Sequence, residues 1–362
     1  MRKIILIIET VFDYKTYISS NCETMHYFKI ILLLIVCQQS FSQSLIKGKV
    51  VAQGDKTPIA YANIGIINSE IGTISNIDGS FSLHIVKGHE NDEIFFSALG
   101  YAGKSIPLRS FESGLDKTVY LLEKSTILDS VIIFGKREAN KLYEFGNQDS
   151  RGGVFATDTV YAGASKAILI GNEIPLKNKG FAFPVYLENA KLKIYKNNFP
   201  KFKFRVRFYE VDSLNGGQPG NDLGNESIIV ESSIKKGWLV IDLAYLKFVV
   251  TKPFFVAFEP ILEEKDRNAI VQEFREFKAS HPKRVKIDTV IVNGEQVIRE
   301  LVNWPDFPGT GVCITTTDFG RQHFVCYSRS SSFSEWKKVR GTLTATVTLS
   351  NNSTVGATPK KK

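Results

Sequence analysis

The stretch GTISNIDGSFSL, residues 72–83, predicts a β-hairpin on which the first folded domain is built. Asn76 and Asp78 can hydrogen-bond back to the backbone through their side chains, and Gly79 adopts a positive φ without steric cost. Apolar residues then alternate with polar ones, which predicts a strand with one face in the core. The residues predicted to face the core are Phe81, Leu83 and Ile85.

Two turn geometries fit this hairpin. A two-residue turn at Asp78 and Gly79 would place Ile77 opposite Ser80, whereas a type I turn with a bulge at Gly79 would place Asn76 opposite Ser80. The two geometries differ by one residue of register in the incoming strand and leave the outgoing strand on the same face.

The size and composition of the chain favour two all-β domains. Its 362 residues are enough for about two domains, and 43% of them are hydrophobic, so each domain can bury a core. We predict a β-sandwich over residues 43–135, a linker over 136–153 with a short helix near 139–145, and a second β-sandwich over 154–350. Residues 351–362 are predicted to be a disordered basic tail.

Five short blocks in the first domain carry a family resemblance. They are GKV at 48–50, TPIAYANI at 57–64, GT at 72–73, DGSF at 78–81 and SALGY at 97–101. Together they resemble the carboxypeptidase regulatory-like domain. The resemblance implies a seven-stranded, transthyretin-like Greek-key sandwich. It also implies a non-enzymatic accessory module of secreted and outer-membrane proteins, with no catalytic residues to carry over.

The end of this domain has a second resemblance. Residues 128–135, LDSVIIFG, are similar to the segment that joins such a domain to the plug of TonB-dependent receptors. About 220 residues follow, which is too few for a barrel of about 22 strands. We therefore do not expect a receptor.

The second domain is predicted from strands of strict alternation. In residues 202–208, FKFRVRF, the apolar side chains face inward and Lys203, Arg205 and Arg207 face outward, as in a half-solvated antiparallel sheet. Residues 342–349 repeat the pattern. The order of FRVRFY, a PG turn, GW, DL and FFVAF resembles jelly-roll modules of secreted bacterial proteins, many of which resemble carbohydrate-binding modules. Residues 264–280 predict one inserted helix that Pro282 ends.

An apolar segment near the N-terminus predicts export. Met25 and Lys29 precede an apolar run at 30–36, and small residues at 40 and 42 fit cleavage before Gln43. We interpret residues 1–42 as a signal peptide and Met25 as the start, because the signal is complete from there. We expect the periplasm, outer membrane or cell surface, and no transmembrane span after cleavage.

Charge and motifs favour a binding protein over other classes. The net charge is +9, but no cluster of Lys and Arg is interleaved with aromatic residues, so a nucleic-acid partner is not expected. The chain has neither a His-Glu-x-x-His spacing nor a Gly-x-Ser-x-Gly elbow. We predict a non-enzymatic protein that binds a glycan or another envelope protein. The alternative is a hydrolase with an unrecognised active site in the second domain.

Two groups of residues are candidate ligand sites. Aromatic residues in polar loops suit sugar rings, and this group comprises Trp304, Phe307, Tyr327 and Trp336. Side-chain oxygens in a glycine-rich loop could hold Ca²⁺, and this group comprises Asp212, Asn215, Asn221 and Asp222. The same loop is equally interpreted as a plain hairpin connection, and the aromatic residues as caps on the ends of the sandwich.

The two cysteines that follow the signal peptide are predicted to form a disulfide. A two-residue turn at Phe319 and Gly320 would place Cys313 directly opposite Cys326 on paired strands, at a separation that a disulfide can bridge. The alternative is a bulge at Gly320, which would turn the two side chains to opposite faces and leave two free, buried thiols.

The export prediction can be tested on the mature protein. We expect intact-mass and N-terminal peptide analysis of exported material to give a chain that begins at Gln43. Mature protein that retains residues 30–36 would contradict the signal peptide.

Overall fold

The computed structural model describes residues 44–86, 88–89, 91–111, 117–124, 141–155, 162–171, 182–224, 227–292, 295–302, 310–315 and 324–351. Within these ranges the chain is mostly β-structure, with one α-helix, so the predicted all-β class is confirmed. The predicted signal peptide and residues 352–362 of the basic tail lie outside the described residues. Leu45–Lys362 form one compact unit.

The first domain contains two sheets. Its strands are β1 (Ser44–Ala52), β2 (Asn63–Gly65), β3 (Gly72–Ile74), β4 (Ser80–Ile85), β5 (Glu93–Ser97), β6 (Lys104–Pro107) and β7 (Lys117–Leu121). One sheet has the order β4-β1-β7, with β1 and β7 parallel, and the other has the order β3-β2-β5-β6. Apolar side chains of both sheets form one core, which includes Val50, Ile64, Phe81, Phe96 and Leu121. The predicted sandwich is therefore confirmed.

The turn at residues 76–80 has the bulged geometry, but the predicted β-hairpin is wrong, because β3 and β4 lie in different sheets and do not pair. The Asn76 N–H donates to the Ser80 carbonyl at 2.7 Å, and the Gly79 N–H donates to the Asn76 carbonyl at 3.0 Å. Gly79 has a φ of 79°, and a Cβ there would lie 2.5 Å from the Val50 carbonyl oxygen, so only glycine fits. The turn joins the two sheets of the domain, because β3 belongs to one and β4 to the other.

The second domain begins with strands inside the expected linker. Its strands are β8 (Leu142–Gly146), β9 (Gly152–Phe155), β10 (Ser165–Ile170), β11 (Val185–Asn197), β12 (Phe202–Asp212), β13 (Gln218–Asp222), β14 (Ile228–Ser232), β15 (Gly237–Asp242), β16 (Val249–Val250), β17 (Phe254–Ile261), β18 (Val285–Val292), β19 (Glu295–Val302), β20 (Thr310–Thr315), β21 (Cys326–Arg329), β22 (Lys337–Val339), β23 (Thr342–Leu343) and β24 (Ala345–Ser350).

Two of these sheets enclose the larger core. The first has the order β13-β12-β17-β10-β21-β22, and β14 also pairs with β12. The second has the order β23-β20-β11-β24-β8, with β15 and β16 also on β11 and β9 also on β20. Their facing side chains form one apolar cluster, which includes Ile168, Leu192, Phe204, Phe258 and Val347. A second β-sandwich is thus confirmed, and β18 and β19 form a separate two-stranded sheet.

Part of the expected linker belongs to the second sandwich. β8 pairs antiparallel with β24, and β9 pairs antiparallel with β20. Phe145 is buried in the larger core, which explains why this segment is a strand and not the expected short helix. Residues 136–140 lie outside the described residues.

The inserted helix, α1 (Glu264–Ser280), is confirmed with the expected bounds. The side chains of Glu263 and Asp266 form a capping box at its N-terminus. The Glu264 N–H donates to Asn76 Oδ1 in the turn between β3 and β4 of the first domain, at 3.0 Å. No helix among the described residues is long and apolar enough to cross a membrane.

The hairpin expected between the two cysteines is wrong. β20, which carries Cys313, lies in one large sheet, and β21, which carries Cys326, lies in the other. Cys313 is opposite Val154, whereas Cys326 is opposite Ile168 and Val339. Cys326 is a free, buried cysteine. The structure therefore does not form the predicted disulfide: Cys326 is a free thiol, and the pairing that would have placed Cys313 opposite it is not made.

The environment of Cys326 predicts how its thiol reacts. The residue is fully buried, and burial raises the pKa of its thiol, so both access and thiolate formation are suppressed. We expect iodoacetamide to leave Cys326 unmodified in folded protein and to modify it in unreduced, denatured protein. Peptide mass spectrometry reports the modification. Absence of modification in unreduced, denatured protein, with modification after reduction, would indicate a disulfide after all.

Candidate functional site

The outward face of β12 is covered by the first domain. The sequence predicts that Lys203, Arg205 and Arg207 face away from the core, and they do. They do not face solvent as expected, however, because other residues of the protein cover them. Arg205 is only 2% exposed. The expected half-solvated sheet is therefore wrong over this part of β12, because residues of β2 and the segment before it pack on that face.

Arg205 is the central contact between the two domains. Its Nη1 donates to Asn63 Oδ1 at 2.6 Å and to Glu259 Oε1 at 3.1 Å, and its Nη2 donates to the Tyr61 carbonyl. Glu259 lies on β17, the strand beside β12, and is 1% exposed. Burial lowers the pKa of Arg205, and the attraction of Glu259 opposes that shift. A guanidinium held by three partners fixes both the separation and the orientation of the domains.

A second ionic contact lies beside the first. Lys203 Nζ donates to Glu263 Oε1 and, at 2.8 Å, to the Tyr61 hydroxyl, and that hydroxyl donates to Glu263 at 3.2 Å. Burial acts to raise the pKa of Glu263, but the hydrogen bond and charge of Lys203 outweigh it and lower that pKa. Glu263 also caps α1, so the same carboxylate connects the helix to the domain contact.

The loop after β21 forms the third contact. The Ser331 hydroxyl donates to the Ser69 carbonyl at 2.8 Å, and the Asn68 N–H donates to the Phe333 carbonyl at 3.0 Å. The Phe333 ring packs edge-on against Phe95, with 5.3 Å between the ring centroids. The contact between the domains is therefore polar at β12 and partly aromatic at this loop.

A cleft of about 250 Å³ remains open between the two domains. One wall is contributed by the first domain and is mainly apolar; its residues include Pro58, Ile59, Ala60, Leu99 and Tyr101. The other wall is contributed by β12 and the segment around β13 and β14; its residues include Arg205, Arg207, Asp222, Gly224 and Ser227. Pockets occur preferentially at domain boundaries, so this cleft is the candidate site.

The charged groups around the cleft pair with one another. Arg207 Nη1 donates to Asp222 Oδ2 at 3.1 Å, and Arg207 Nε lies 3.8 Å from Glu259 Oε2. Burial acts to lower the pKa of Arg207, but the nearby Tyr209, Glu259 and Asp222 raise it, so the guanidinium stays charged. Among the described residues around the cleft, two guanidinium groups therefore pair with two carboxylates, and the Arg329 guanidinium also acts on Arg205.

Some hydrogen-bonding capacity at the cleft is unused. Within the described part of the chain, Arg207 Nη2 and Asn63 Nδ2 make no hydrogen bond. Arg205 Nε, Arg207 Nε and Glu259 Oε2 are buried and also make none. Asp222 Oδ1 accepts from the Gly224 N–H at 2.9 Å, and each of its oxygens can accept one further hydrogen bond.

The predicted aromatic site is only partly within the described residues. Tyr327 and Trp336 do come together, on the outer face of the sheet that contains β21. Tyr327 is 7% exposed, and the Arg329 guanidinium stacks on the Trp336 ring at 4.5 Å. One face of that ring is thus occupied by protein, which favours a packing role. Trp304 and Phe307 lie outside the described residues.

The predicted calcium ligands each have another partner. Asp212 accepts from the Leu214 and Asn215 N–H groups and from the Asn215 side chain, which closes the turn after β12. The Asn221 side chain donates to Glu210, and Asp222 pairs with Arg207 in the cleft. Over the described ranges, no three His, Cys, Asp or Glu residues are grouped so that they could hold a metal ion.

One feature of the sequence could have predicted part of the cleft. Residues 254–261 read FFVAFEPI, so Glu259 is a lone charge in a strand that is otherwise apolar. A buried carboxylate requires a cationic partner, and β12 supplies two arginines at alternate positions. Asn63, Leu99 and Ser227 carried no such signal, because their place in the cleft follows from how the domains pack.

Comparison with known proteins agrees with the architecture of the first domain. Residues 46–133 match the CarboxypepD_reg-like domain family. The first domain is a CarboxypepD_reg-like domain. The chain is also 28% identical over 118 residues to the TonB-dependent receptor SusC of Bacteroides thetaiotaomicron. That alignment covers 32% of this chain and 11% of the receptor, so the chain spans about a tenth of its length.

Comparison with solved structures adds no functional argument. A structure of infectious bursal disease virus, Gx strain, aligns over 84% of this chain and 64% of that chain, at 9% identity. The TM-score is 0.22, which is too low to support a shared fold.

The Arg205 contact predicts a large loss of stability on substitution. Arg205→Met leaves the Glu259 carboxylate buried without its main partner, and we expect the free energy of unfolding to fall by about 3–5 kcal/mol. Urea denaturation measures the change.

A matched control separates this effect from loss of any ion pair. Lys252→Met removes an exposed partner of Glu210, and we expect a change of less than about 1 kcal/mol. The double variant Arg205→Met/Glu259→Gln should recover part of the lost stability, because the unpaired charge is gone. Equal effects of Arg205→Met and Lys252→Met would contradict a central role for Arg205.

Proposed function

We propose that this protein is a non-enzymatic binding or scaffolding protein of the cell envelope. In this proposal the CarboxypepD_reg-like domain and the following sandwich act as one rigid unit. The observation that carries it is the burial of Arg205 between them, because its hydrogen bonds to Asn63 and to the Tyr61 carbonyl of the first domain have to break before the two domains can move apart.

Rigidity suits a scaffold for a physical reason. Separate contacts join the domains at Arg205, at Tyr61 with the Lys203–Glu263 pair, at Asn76 with Glu264 and at the loop 331–333. Contacts that are spread over a surface restrain rotation in every direction, whereas a single contact acts as a hinge. A ligand in the cleft would therefore meet two walls at a fixed separation, and the ordering cost of binding would be small.

The envelope location is supported by two independent features. The segment from Met25 to Ser42 has the charge, apolar run and small residues of an export signal. The region similar to SusC belongs to a protein named as a TonB-dependent receptor. Because the alignment covers about a tenth of that receptor, receptor activity itself is not transferred to this chain.

The chemistry of the cleft favours binding over hydrolysis. A hydrolase needs a nucleophile with a base or two carboxyl groups of different protonation state. Asp222 and Glu259 each form an ion pair with an arginine, so both carboxylates are already engaged within the protein. Because these paired charged side chains hold one another in fixed positions, they suit the binding of a ligand better than catalysis.

Cell fractionation and capture test the proposal. We expect the full chain, expressed with a C-terminal tag in a bacterium that has an outer membrane, to appear in the periplasmic or outer-membrane fraction. A variant without residues 25–42 should stay in the cytoplasm. Purified wild-type protein should retain a component of solubilised envelopes, and Arg205→Met, which loosens the domain contact, should retain less of it.

Two results would argue against this function. Cytoplasmic location of the full chain would exclude an envelope role. Equal retention by wild-type protein and the loosened variant would show that the joined domains do not act as one binding unit.

A further inference from the structure

We propose that the cleft between the two domains binds a single sugar unit of an uncharged glycan. This inference rests on the proposed function and specifies its ligand. The argument comes from the size of the cleft, its charge, its free hydrogen-bonding groups and its apolar wall.

The size of the cleft limits the ligand. Pockets for drug-sized molecules hold about 300–1,000 Å³. This cleft, at about 250 Å³, has room for one six-membered ring, while the rest of a chain would extend into solvent. Part of the wall is exposed at the rim, where Leu99 is 42% exposed, so an attached chain has a path out.

The charge of the cleft excludes a strongly ionic ligand. Arg205 pairs with Glu259, and Arg207 pairs with Asp222. An anion would have to compete with Asp222 for Arg207, and a cation would have to compete with Arg207 for Asp222. A neutral ligand gains hydrogen bonds from both without breaking the pair.

The free polar groups match the chemistry of hydroxyl groups. Arg207 Nη2 and Asn63 Nδ2 are unused donors, and Asp222 beside them has acceptor capacity left. A hydroxyl group both donates and accepts, so neighbouring hydroxyls of a sugar can bind a guanidinium and a carboxylate side by side. Hydrogen bonds to charged groups are the stronger ones, which suits a ligand that must give up water.

The apolar wall completes the match. Pro58, Ala60 and Leu99 are exposed apolar residues of the first domain's wall, and Tyr101 adds an aromatic ring that is half-buried. A sugar ring has C–H groups on its faces and hydroxyls around its edge. A cleft with one apolar and one polar wall accommodates both.

Direct binding measurements on the full chain test the inference. The probes are uncharged oligosaccharides of glucose, galactose, mannose and N-acetylglucosamine, and acidic oligosaccharides that end in galacturonate or sialate. An array of these probes followed by calorimetry should give binding to members of the uncharged set. Ala60→Phe, which fills the cleft from the apolar wall, should abolish that binding while the charged pairs remain.

A charge variant gives a second, independent readout. Asp222→Asn removes an acceptor charge and leaves Arg207 in excess, so we expect uncharged sugars to bind about tenfold or more weakly. The preference should also shift toward the acidic probes. Glu210→Gln is the matched control, because it removes one carboxylate charge from the neighbouring strand β12, outside the cleft. It should leave binding unchanged.

The outcomes separate this inference from the proposed function. Binding of acidic probes only would overturn the uncharged ligand, and binding unaffected by Ala60→Phe and Asp222→Asn would overturn the cleft as its site. Both results leave a binding protein of the envelope standing. Binding of no probe would overturn the inference, and fractionation and capture would then decide the proposed function by themselves.

Discussion

The structure depends on one buried guanidinium. Arg205 lies on an outward face of the second sandwich, where a strand of an isolated domain would carry a solvated charge. In this protein its partners come from both domains, with Glu259 on the neighbouring strand and Asn63 and Tyr61 on the CarboxypepD_reg-like domain. Because the charge has no access to water, its hydrogen bonds must be satisfied by a single relative placement of the two domains.

A contact of this kind contributes more to specificity than to stability. Burying two charges is costly, and an apolar interface of the same area would hold the domains at least as strongly. An apolar interface, however, tolerates sliding, whereas the geometry of a guanidinium does not. The polar character of the contact at Arg205 therefore accounts for the open cleft beside it. The contact holds the two walls of the cleft at a defined distance, so they do not pack against each other.

The sequence was sufficient for the local features and for the family of the first domain. The turn at Asn76, the alternation in β12 and the helix at 264–280 are set by neighbours in the chain, so pattern and propensity identify them. Burial of Arg205, the strand at 142–146 and the separation of the two cysteines depend on partners far away in sequence. The residue pattern within a segment does not indicate which distant part of the chain will pack on it. The cleft forms where the first domain packs on β12, so the pattern within β12 alone could not predict it.

The pairing of β24 with β8 and β11 has a consequence for biogenesis. β24 lies between these two strands in its sheet, although it is the last described strand to leave the ribosome or the export channel. Until it arrives, two strands made about 150 to 200 residues earlier lack a neighbour on one side. An incomplete chain would thus present open strand edges, which invite aggregation and proteolysis. This sheet is therefore completed last, and its open edges persist until nearly the whole chain has been made.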